Sequence, residues 1–448
     1  MRIYALACAT GLLVVLVSIR VFGAEAVGKS GFSRIAIRGG RFVETATGKP
    51  FTPLGVNYFR LGKLKDGKVS HATFCPGFYD RGFIEKMMAD VASRGFNTVR
   101  TFQVFVVCED GILTSSKARE ISPEYLANMV HFLQQAAKNN VHVIFTWDVW
   151  NPGSEWWSSE ALPNEAEYAF RPTRDPNMGV NGSRLVLSEV RTRANSITSL
   201  IEALRKKDPE LLPVVLAWEL ENEVYFVANQ APFKSRQGVY SFAGKDYDLA
   251  SDEQTQALMD DVITQWANAC ADAIHRADPE ALVGTGVFTF AAVKRGGPGT
   301  LSKDTTKDNR VPARPLALLR SRMDYADLHL YAYRSDKVSV AESLAHSLAS
   351  VEWEKLQQEA RRAGKPIMVG ESGICSRYLQ KSPDGPIDHQ LGVECLRQHM
   401  QGIRERGFAG ALYWDYGNPE SGPNDQYPSM VLFSQYARVL RDVWAGPK

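Results

Sequence analysis

The segment from Pro213 to Phe226 reads PVVLAWELENEVYF, an apolar run that ends in three glutamates at every second position: Glu219, Glu221 and Glu223. Alternate side chains of a strand lie on one face, and three unpaired carboxylates cannot be buried side by side without a large desolvation cost. The segment is therefore either a solvated edge strand, or a buried strand whose alternation breaks at its end. In the second case the three carboxylates have different environments.

Seven other short apolar runs accompany this one, and amphipathic stretches separate them. They are LGVNYF from Leu54, FNTVRTF from Phe96, HVIFTW from His142, ALVGTGVF from Ala281, ADLHLYAY from Ala326, PIMVGESG from Pro366 and GALYWDYG from Gly410. Strands that are apolar on both faces indicate a parallel sheet covered by helices, and eight strands close a (β/α)8 barrel. An open doubly wound sheet is the alternative. It is less favoured because no glycine-rich phosphate loop follows any of the runs.

The segments around these runs complete the predicted architecture. The residues before the first run predict a short β-hairpin that turns at Gly39-Gly40. A helix begins after Ser122-Pro123, and Ser251 to Gln254 forms a predicted capping box. Further helices are predicted over 83–93, 188–206, 340–363 and 387–406. Long connections at 151–188, 288–311 and 418–427 directly follow strands, which in a barrel places them on the C-terminal rim where active sites are built.

The N-terminus has the layout of a secretory signal peptide: a basic start, an apolar run, and small residues around Gly23 and Ala24. We predict a signal peptide at 1–26, a single barrel domain at 27–448, and a secreted or periplasmic location. An uncleaved membrane anchor is the alternative, because the run approaches the ~20 residues that span a bilayer. The predicted mature chain has an odd number of cysteines, so at least one thiol is unpaired, and their connectivity stays open. These are Cys75, Cys108, Cys270, Cys375 and Cys395.

The overall charge excludes some partners. A formal net charge of +2 over 448 residues gives no reason to expect a nucleic acid or an anionic membrane surface as partner. The eight histidines form no HExxH pair, and no two cysteines form a CxxC pair, so no metal site or cofactor is predicted. We predict a monomer.

Polar and aromatic residues at the ends of the predicted strands form the candidate site, because strand ends converge in a barrel. They are Asn57, Tyr58, Arg100, Trp147, Asp148, Asn222, Glu223, His329, Tyr331, Glu371 and Trp414. Taken singly, each has a structural interpretation: an arginine that pairs with a barrel carboxylate, a core histidine, a tryptophan that fills space. The combination is more specific. Two carboxylates ending the fourth and seventh strands match retaining glycoside hydrolysis, which needs two carboxyl groups about 5–5.5 Å apart.

The chain resembles glycoside hydrolase family 5 of clan A, and within it the β-mannanase branch. The resemblance rests on WELENEV at 218–224, FNTVR at 96–100, HLY at 329–331, VGESG at 369–373 and YW at 413–414. It implies that Glu223 is the acid/base and Glu371 the nucleophile. Asn222 would then bind the sugar 2-hydroxyl, and Arg100 and Tyr331 would contact the nucleophile. His329 would line the subsite beside the acid/base, and Trp414 would form a sugar platform. Asn57 and Trp147 are further predicted substrate-binding residues.

Three departures from the family pattern put substrate specificity in doubt. Thr146-Trp147-Asp148 stands where many members have a histidine, Glu221 replaces a small residue, and Ser372 replaces an aromatic one. We predict an endo-1,4-β-mannosidase. An endo-β-1,4-glucanase and an exo-acting β-glycosidase are the close alternatives, and a non-catalytic polysaccharide-binding barrel is the alternative of another class. Trp150, Trp156 and Trp157 are either further sugar platforms or cover for the barrel rim.

Overall fold

A computed structural model of the chain describes residues 32–63, 69–103, 112, 120–148, 154–335, 337–382, 385–417 and 434–445. The strands of this part are β1 (Ile35–Arg38), β2 (Arg41–Glu44), β3 (Leu54–Tyr58), β4 (Leu61–Lys63), β5 (Val69–His71), β6 (Thr98–Gln103), β7 (His142–Trp147), β8 (Val215–Glu219), β9 (Tyr225–Val227), β10 (Val239–Phe242), β11 (Lys245–Asp248), β12 (Val283–Gly284), β13 (Gly286–Phe288), β14 (Arg310–Pro312), β15 (Ala326–Ala332), β16 (Ile367–Ile374) and β17 (Ala411–Tyr413).

The α-helices lie mainly between the strands of the central sheet. They are α1 (Arg81–Ser93), α2 (Pro123–Lys138), α3 (Glu155–Ser159), α4 (Gly182–Leu185), α5 (Leu187–Lys207), α6 (Asp252–Ala277), α7 (Pro315–Arg320), α8 (Val340–Ala349), α9 (Trp353–Ala363), α10 (His389–Glu405) and α11 (Ser434–Trp444). Within the described residues, no helix is long and apolar enough to cross a membrane.

The central sheet is a parallel barrel. Its strand order is β12-β8-β7-β6-β3-β17-β16-β15-β13. β12 and β13 are two halves of one strand interrupted at Thr285. The first half pairs with β8 and the second with β15. The ring therefore has eight positions and closes through this interrupted strand. The predicted (β/α)8 barrel is confirmed, and every one of the eight apolar runs contributes to it.

The predicted N-terminal hairpin is also present, and it covers the N-terminal end of the barrel. β1 and β2 pair antiparallel across the Gly39-Gly40 turn. Phe42 packs edge-on against Tyr325, just before β15, with ring centroids 5.8 Å apart. It belongs to the same buried apolar cluster as Met368 and Leu412 of the barrel. The hairpin thus closes the bottom of the barrel, and the opposite end carries the predicted site.

Two helix predictions need correction. The region 340–363 is two helices, because Glu352 has a left-handed φ of 55° between α8 and α9. At the start of α6, Ser251 caps the helix by accepting a hydrogen bond from the Gln254 amide. The Gln254 side chain instead accepts from the amide of Asp248, so only half of the predicted capping box forms there.

The connection after β8 contains structure that the sequence did not predict. β9 follows the site, and β10 and β11 form a hairpin before α6. β9 pairs antiparallel with β14, which belongs to the long connection after β13. The loops after the fourth and fifth barrel strands are therefore joined into one wall at the C-terminal rim. The predicted connection 418–427 lies outside the described residues.

The thiols of Cys270, Cys375 and Cys395 are buried, and these three residues form no disulfide with one another. Cys108 lies outside the described residues.

Candidate active site

The two predicted catalytic carboxylates lie together at the C-terminal end of the barrel. Glu371 is within β16, and Glu223 follows β8 on a turn where its φ is +52°. A carboxylate oxygen of each lies within 4.8 Å of the other. That separation suits a retaining pair and is too short for the inverting arrangement, which needs about 6.5–9.5 Å. The left-handed φ is rarely adopted by a residue other than glycine, and it turns Glu223 out of the strand alternation.

Glu371 is held in place by two donors. The Arg100 Nη1 donates to Oε1 at 2.8 Å, and the Tyr331 hydroxyl donates to Oε2 at 2.7 Å. The side chain is only 5% exposed. Burial raises the pKa of Glu371, and the positive charges of His329 and Arg100 oppose that rise without cancelling it. The donors therefore fix the orientation of the carboxylate and limit the cost of burying its charge.

His329 lies between the two carboxylates. Its Nδ1 is 3.0 Å from Glu223 Oε1 and 3.4 Å from Glu371 Oε2, and its Nε2 faces Asp327 Oδ2 at 3.7 Å. Burial lowers the pKa of His329, but the surrounding carboxylates outweigh burial and raise it to about 10. The ring is therefore an imidazolium at neutral pH. It donates to Glu223, and this contact holds the pKa of Glu223 below its ordinary value although burial acts to raise it.

Arg100 is the centre of a fully buried network below the carboxylates. Its Nε donates to Glu219 Oε2 at 2.7 Å, and its Nη2 donates to Asn222 Oδ1 at 2.8 Å. The Tyr325 hydroxyl donates to the other oxygen of Glu219 at 2.9 Å. Glu219 therefore lies inside the barrel with partners, as the strand alternation required. The same guanidinium orients Asn222, next to the acid/base candidate.

Asn57 belongs to this network. Its Oδ1 accepts from Arg100 at 3.0 Å, and its Nδ2 donates to the Gly370 carbonyl at 2.8 Å. The residue is fully buried. Both ends of its amide are thus used within the protein, which makes Asn57 a support for Arg100, whereas the sequence had suggested contact with substrate.

Glu221 is buried and takes no part in the cleft. It forms ion pairs with Arg184 of α4 and, at 3.6 Å, with Arg193 of α5. The backbone explains this position. The Asn222 amide donates to Trp147 at 2.7 Å and the Val224 amide to Gly286 at 3.0 Å, so the chain turns between neighbouring strands here. The three glutamates of the opening segment consequently face the barrel interior, the helix layer and the cleft.

The tryptophans at the rim differ in exposure. Trp414 is half-buried and stacks on Phe59, with ring centroids 5.0 Å apart. Trp147 is fully buried against Trp218, at 5.9 Å, so it presents no ring face to a sugar. In α3, Trp157 is buried while Trp156 is half-buried. Trp150 lies outside the described residues.

Glu223, His329 and Glu371 also form the single group of three potential metal ligands found in the described part of the chain, with their ligand atoms within 4.8 Å of one another. A histidine binds a metal through a neutral ring nitrogen. Because the pKa of His329 is raised to about 10, the group fits an ion-paired carboxylate–imidazolium cluster.

Comparison with known proteins agrees with this geometry. The model of the cellulase family, glycosyl hydrolase family 5, matches residues 65–420. The chain belongs to glycoside hydrolase family 5. A search of curated proteins found no match.

Solved structures share the fold of this family 5 protein at low sequence identity. The endo-1,4-beta-mannanase from Rhizomucor miehei is 17% identical, with a TM-score of 0.54, and the match covers 92% of this chain and 99% of that one. The endo-beta-1,4-mannanase from Thermotoga petrophila is 14% identical, with a TM-score of 0.54 and coverage of 88% and 77%. The endo-1,4-beta-mannanase from Eisenia fetida is 16% identical, with a TM-score of 0.50 and coverage of 93% and 96%.

Several residues of this family 5 site had not been singled out from the sequence. Asp327 lies two residues before His329 on β15, so period-2 alternation was a signal that could have found it. His71 of β5 has its Nδ1 3.8 Å from Oδ2 of Asp148, and no pattern in the sequence linked these two residues. Arg310 of β14 lies on the rim. No periodicity in the sequence predicts this position, because only the pairing of two loops brings Arg310 to the cleft.

Proposed function

We propose that this family 5 protein is a retaining endo-1,4-β-mannosidase. The observation that carries the proposal is the pair of carboxylates whose oxygens lie within 4.8 Å, one held by Arg100 and Tyr331 and the other hydrogen-bonded to His329. The separation supports double displacement, in which one carboxylate forms a covalent bond to the sugar. The contacts support Glu371 as the nucleophile, because fixed donors favour an ionised carboxylate in one orientation.

In the first step, a Glu371 oxygen attacks the anomeric carbon while the bond from that carbon to the leaving oxygen breaks. Glu223 protonates the leaving oxygen. The Glu223 carboxylate shares a proton with His329 across 3.0 Å, so this histidine supplies the proton that the acid needs at neutral pH. In the second step, Glu223 takes a proton from water, the water oxygen attacks the anomeric carbon, and the ester to Glu371 breaks.

The surrounding residues support binding of the sugar in the −1 subsite. Asn222 has its side-chain oxygen fixed by Arg100, which leaves its amide NH₂ to donate to the 2-hydroxyl, a contact that strengthens in the oxocarbenium-like transition state. Trp414 offers a ring supported from behind by Phe59, and apolar sugar faces stack on such rings. The half-buried Trp156 is a further platform candidate.

Mannan is the proposed substrate because the structural neighbours named above are mannanases, and because the WELENEV and FNTVR segments resemble that branch. Endo action is proposed because the three structural neighbours named above are described as endo-mannanases. Secretion through the predicted signal peptide is part of the proposal, since a polymeric substrate lies outside the cell.

A substrate panel tests the sugar and the mode of action together. Purified protein is incubated with mannan, glucomannan, carboxymethylcellulose and aryl β-glycosides, and product lengths are recorded. Internal cleavage of mannan supports the proposal. Exclusive cleavage of carboxymethylcellulose favours a glucanase, and release of monosaccharide alone favours exo action. If none of these substrates is cleaved, the non-catalytic binding barrel replaces the hydrolase proposal.

A further inference from the structure

A cleft begins at the acid/base candidate and does not include the Trp414 platform. Glu223 and His329 line its inner end, and its volume is about 740 Å³. The rest of its wall comes from the segments after β13 and β16, the end of β15, Arg310 of β14, and His346 and Ser347 of α8. Trp414, Arg100 and Asn222 do not line it. Because Glu223 protonates the leaving oxygen, a cleft on its far side from the −1 subsite receives the leaving group, or an acceptor that replaces it.

The described wall of this cleft is basic. Its basic residues are Lys294, Arg295, Arg310 and Arg377, and the one carboxylate that lines it is Glu223. Asp304 pairs with Arg295 at 3.0 Å, and Asp308 pairs with Arg310 at 2.7 Å, both from outside the lining.

Lys294 is the cation best placed to meet a ligand. It ends a short turn after β13 with a left-handed φ of 59°, and its side chain is exposed at the cleft. Among the described residues it makes no ion pair, whereas Arg295 is buried and fully engaged by Asp304 and two backbone carbonyls. A flexible, hydrated ammonium of this kind contacts an anion without losing a protein partner.

Aromatic rings alternate with these cations. The Arg310 guanidinium lies 5.1 Å from the ring centroid of Phe288, and the Arg377 guanidinium lies 4.9 Å from that of Tyr378. Tyr333 packs against Tyr378 at 5.3 Å. Rings bind the apolar face of a sugar, and a guanidinium or ammonium binds a carboxylate through charge-assisted hydrogen bonds. A neutral mannan chain would use the rings and would offer no charge to Lys294.

We propose that the leaving-group side of this site binds a saccharide that carries a carboxylate, a uronic acid residue, and that Lys294 recognises its charge. The inference rests on the proposed retaining hydrolase. A transglycosylation assay tests this inference separately from hydrolysis. In that reaction the Glu371–sugar ester breaks, a hydroxyl oxygen of the acceptor bonds to the anomeric carbon, and the hydroxyl proton passes to Glu223. The acceptor occupies this cleft while the donor sugar is already attached.

The test uses an aryl β-mannobioside as donor, with methyl β-D-glucuronide or methyl β-D-glucoside as acceptor. The two acceptors have the same ring hydroxyls at C2 to C4 and differ at C6. Aryl release measures formation of the glycosyl-enzyme, and mass spectrometry measures the transfer product. We expect transfer to the glucuronide to exceed transfer to the glucoside about fivefold, as one partly exposed charge contact allows. The preference should fall as salt screens the contact.

Variants give the decisive comparison. Lys294→Gln should reduce the preference for glucuronide, and Lys207→Gln, at the C-terminal end of α5, should leave it unchanged. Equal transfer to both acceptors by the unaltered protein, with normal aryl release, overturns this inference alone. A preference that survives Lys294→Gln also overturns it. If the unaltered protein releases no aryl group from any aryl β-glycoside donor, the hydrolase proposal fails and this inference fails with it.

Discussion

Glu221→Gln tests whether the buried carboxylate behind the catalytic turn stabilises the fold. Glu221, Arg184 and Arg193 are each at most 1% exposed in their side chains. The Arg184 guanidinium lies between the rings of Phe226 and Trp266, at 5.9 and 5.7 Å, and water cannot replace the lost partner there. The substitution keeps the shape of residue 221 and leaves two buried guanidinium groups without their shared counter-charge.

The structure gives the size of the effect. Removing one partner of a buried ion pair costs about 3–5 kcal/mol of unfolding free energy. Burial raises the pKa of Glu221 despite the two arginines, so the ionised form is already costly and the loss should be near the lower end, about 3 kcal/mol. The unfolding entropy of 448 residues is about 0.9 kcal/mol per kelvin. The expected fall in melting temperature is therefore about 3 °C.

Thermal unfolding followed by circular dichroism measures this shift, and urea unfolding gives the free energy independently. The matched control is Glu189→Gln, which breaks the ion pair with Arg174, whose side chains are 23% and 43% exposed. That pair should be worth at most about 1 kcal/mol, a shift of about 1 °C. Equal shifts for the two variants would show that Glu221 contributes no more than a surface pair and would refute the reasoning.

The remaining predictions concern catalysis and pH. Glu371→Gln should abolish turnover of every substrate, whereas Glu223→Ala should retain cleavage of aryl glycosides with good leaving groups, which need no proton. If Glu223→Ala lost activity on aryl glycosides as completely as on unactivated substrates, the assigned roles would be contradicted. His329→Gln should move the basic limb of the kcat/KM–pH profile toward lower pH when the substrate is an unactivated oligosaccharide. The reason is that the substitution removes the proton that Glu223 shares with an imidazolium of pKa about 10. An unchanged basic limb would argue against this sharing. For stability, a histidine pKa raised from 6.5 to about 10 on folding contributes stability that is complete below pH 6.5 and lost as the pH rises through 10. Urea unfolding across that range should show His329→Gln losing less stability than the unaltered protein as the pH rises. Tyr331→Phe should lower kcat by removing one donor to Glu371, and an unchanged kcat with a raised KM would mean that the hydroxyl acts in binding alone.

Much of the fold could be read from local pattern. Each apolar run became a barrel strand because a strand buried on both faces must be apolar throughout, and that property is written in consecutive residues. The start of α2 was predicted for the same reason, since Ser122 and Pro123 act on the turn directly beside them. The break at Glu352 was missed because a change in one φ angle leaves the helical periodicity on either side intact.

The site was predicted less completely. Residues at strand ends were found because a parallel barrel brings those ends together whatever the loops do. The support that Asn57 gives to Arg100, and the burial of Trp147, depend on which side chain fills which space, and no local pattern encodes that. The wall made by β9 and β14 was missed because it pairs two loops that are far apart in the chain.

The glutamates of PVVLAWELENEVYF mark the boundary between the two kinds of information. Sequence alone determined that a buried strand ends here in three carboxylates that cannot all be buried on one face. It also determined that Glu223 and Glu371 lie at the ends of two strands of one barrel. Only the tertiary structure decided where each charge goes: Glu219 to Arg100 in the barrel, Glu221 to Arg184 beneath the helices, and Glu223 to His329 in the cleft. The physical reason is that a buried charge is stabilised by its partners, and those partners come from distant parts of the chain.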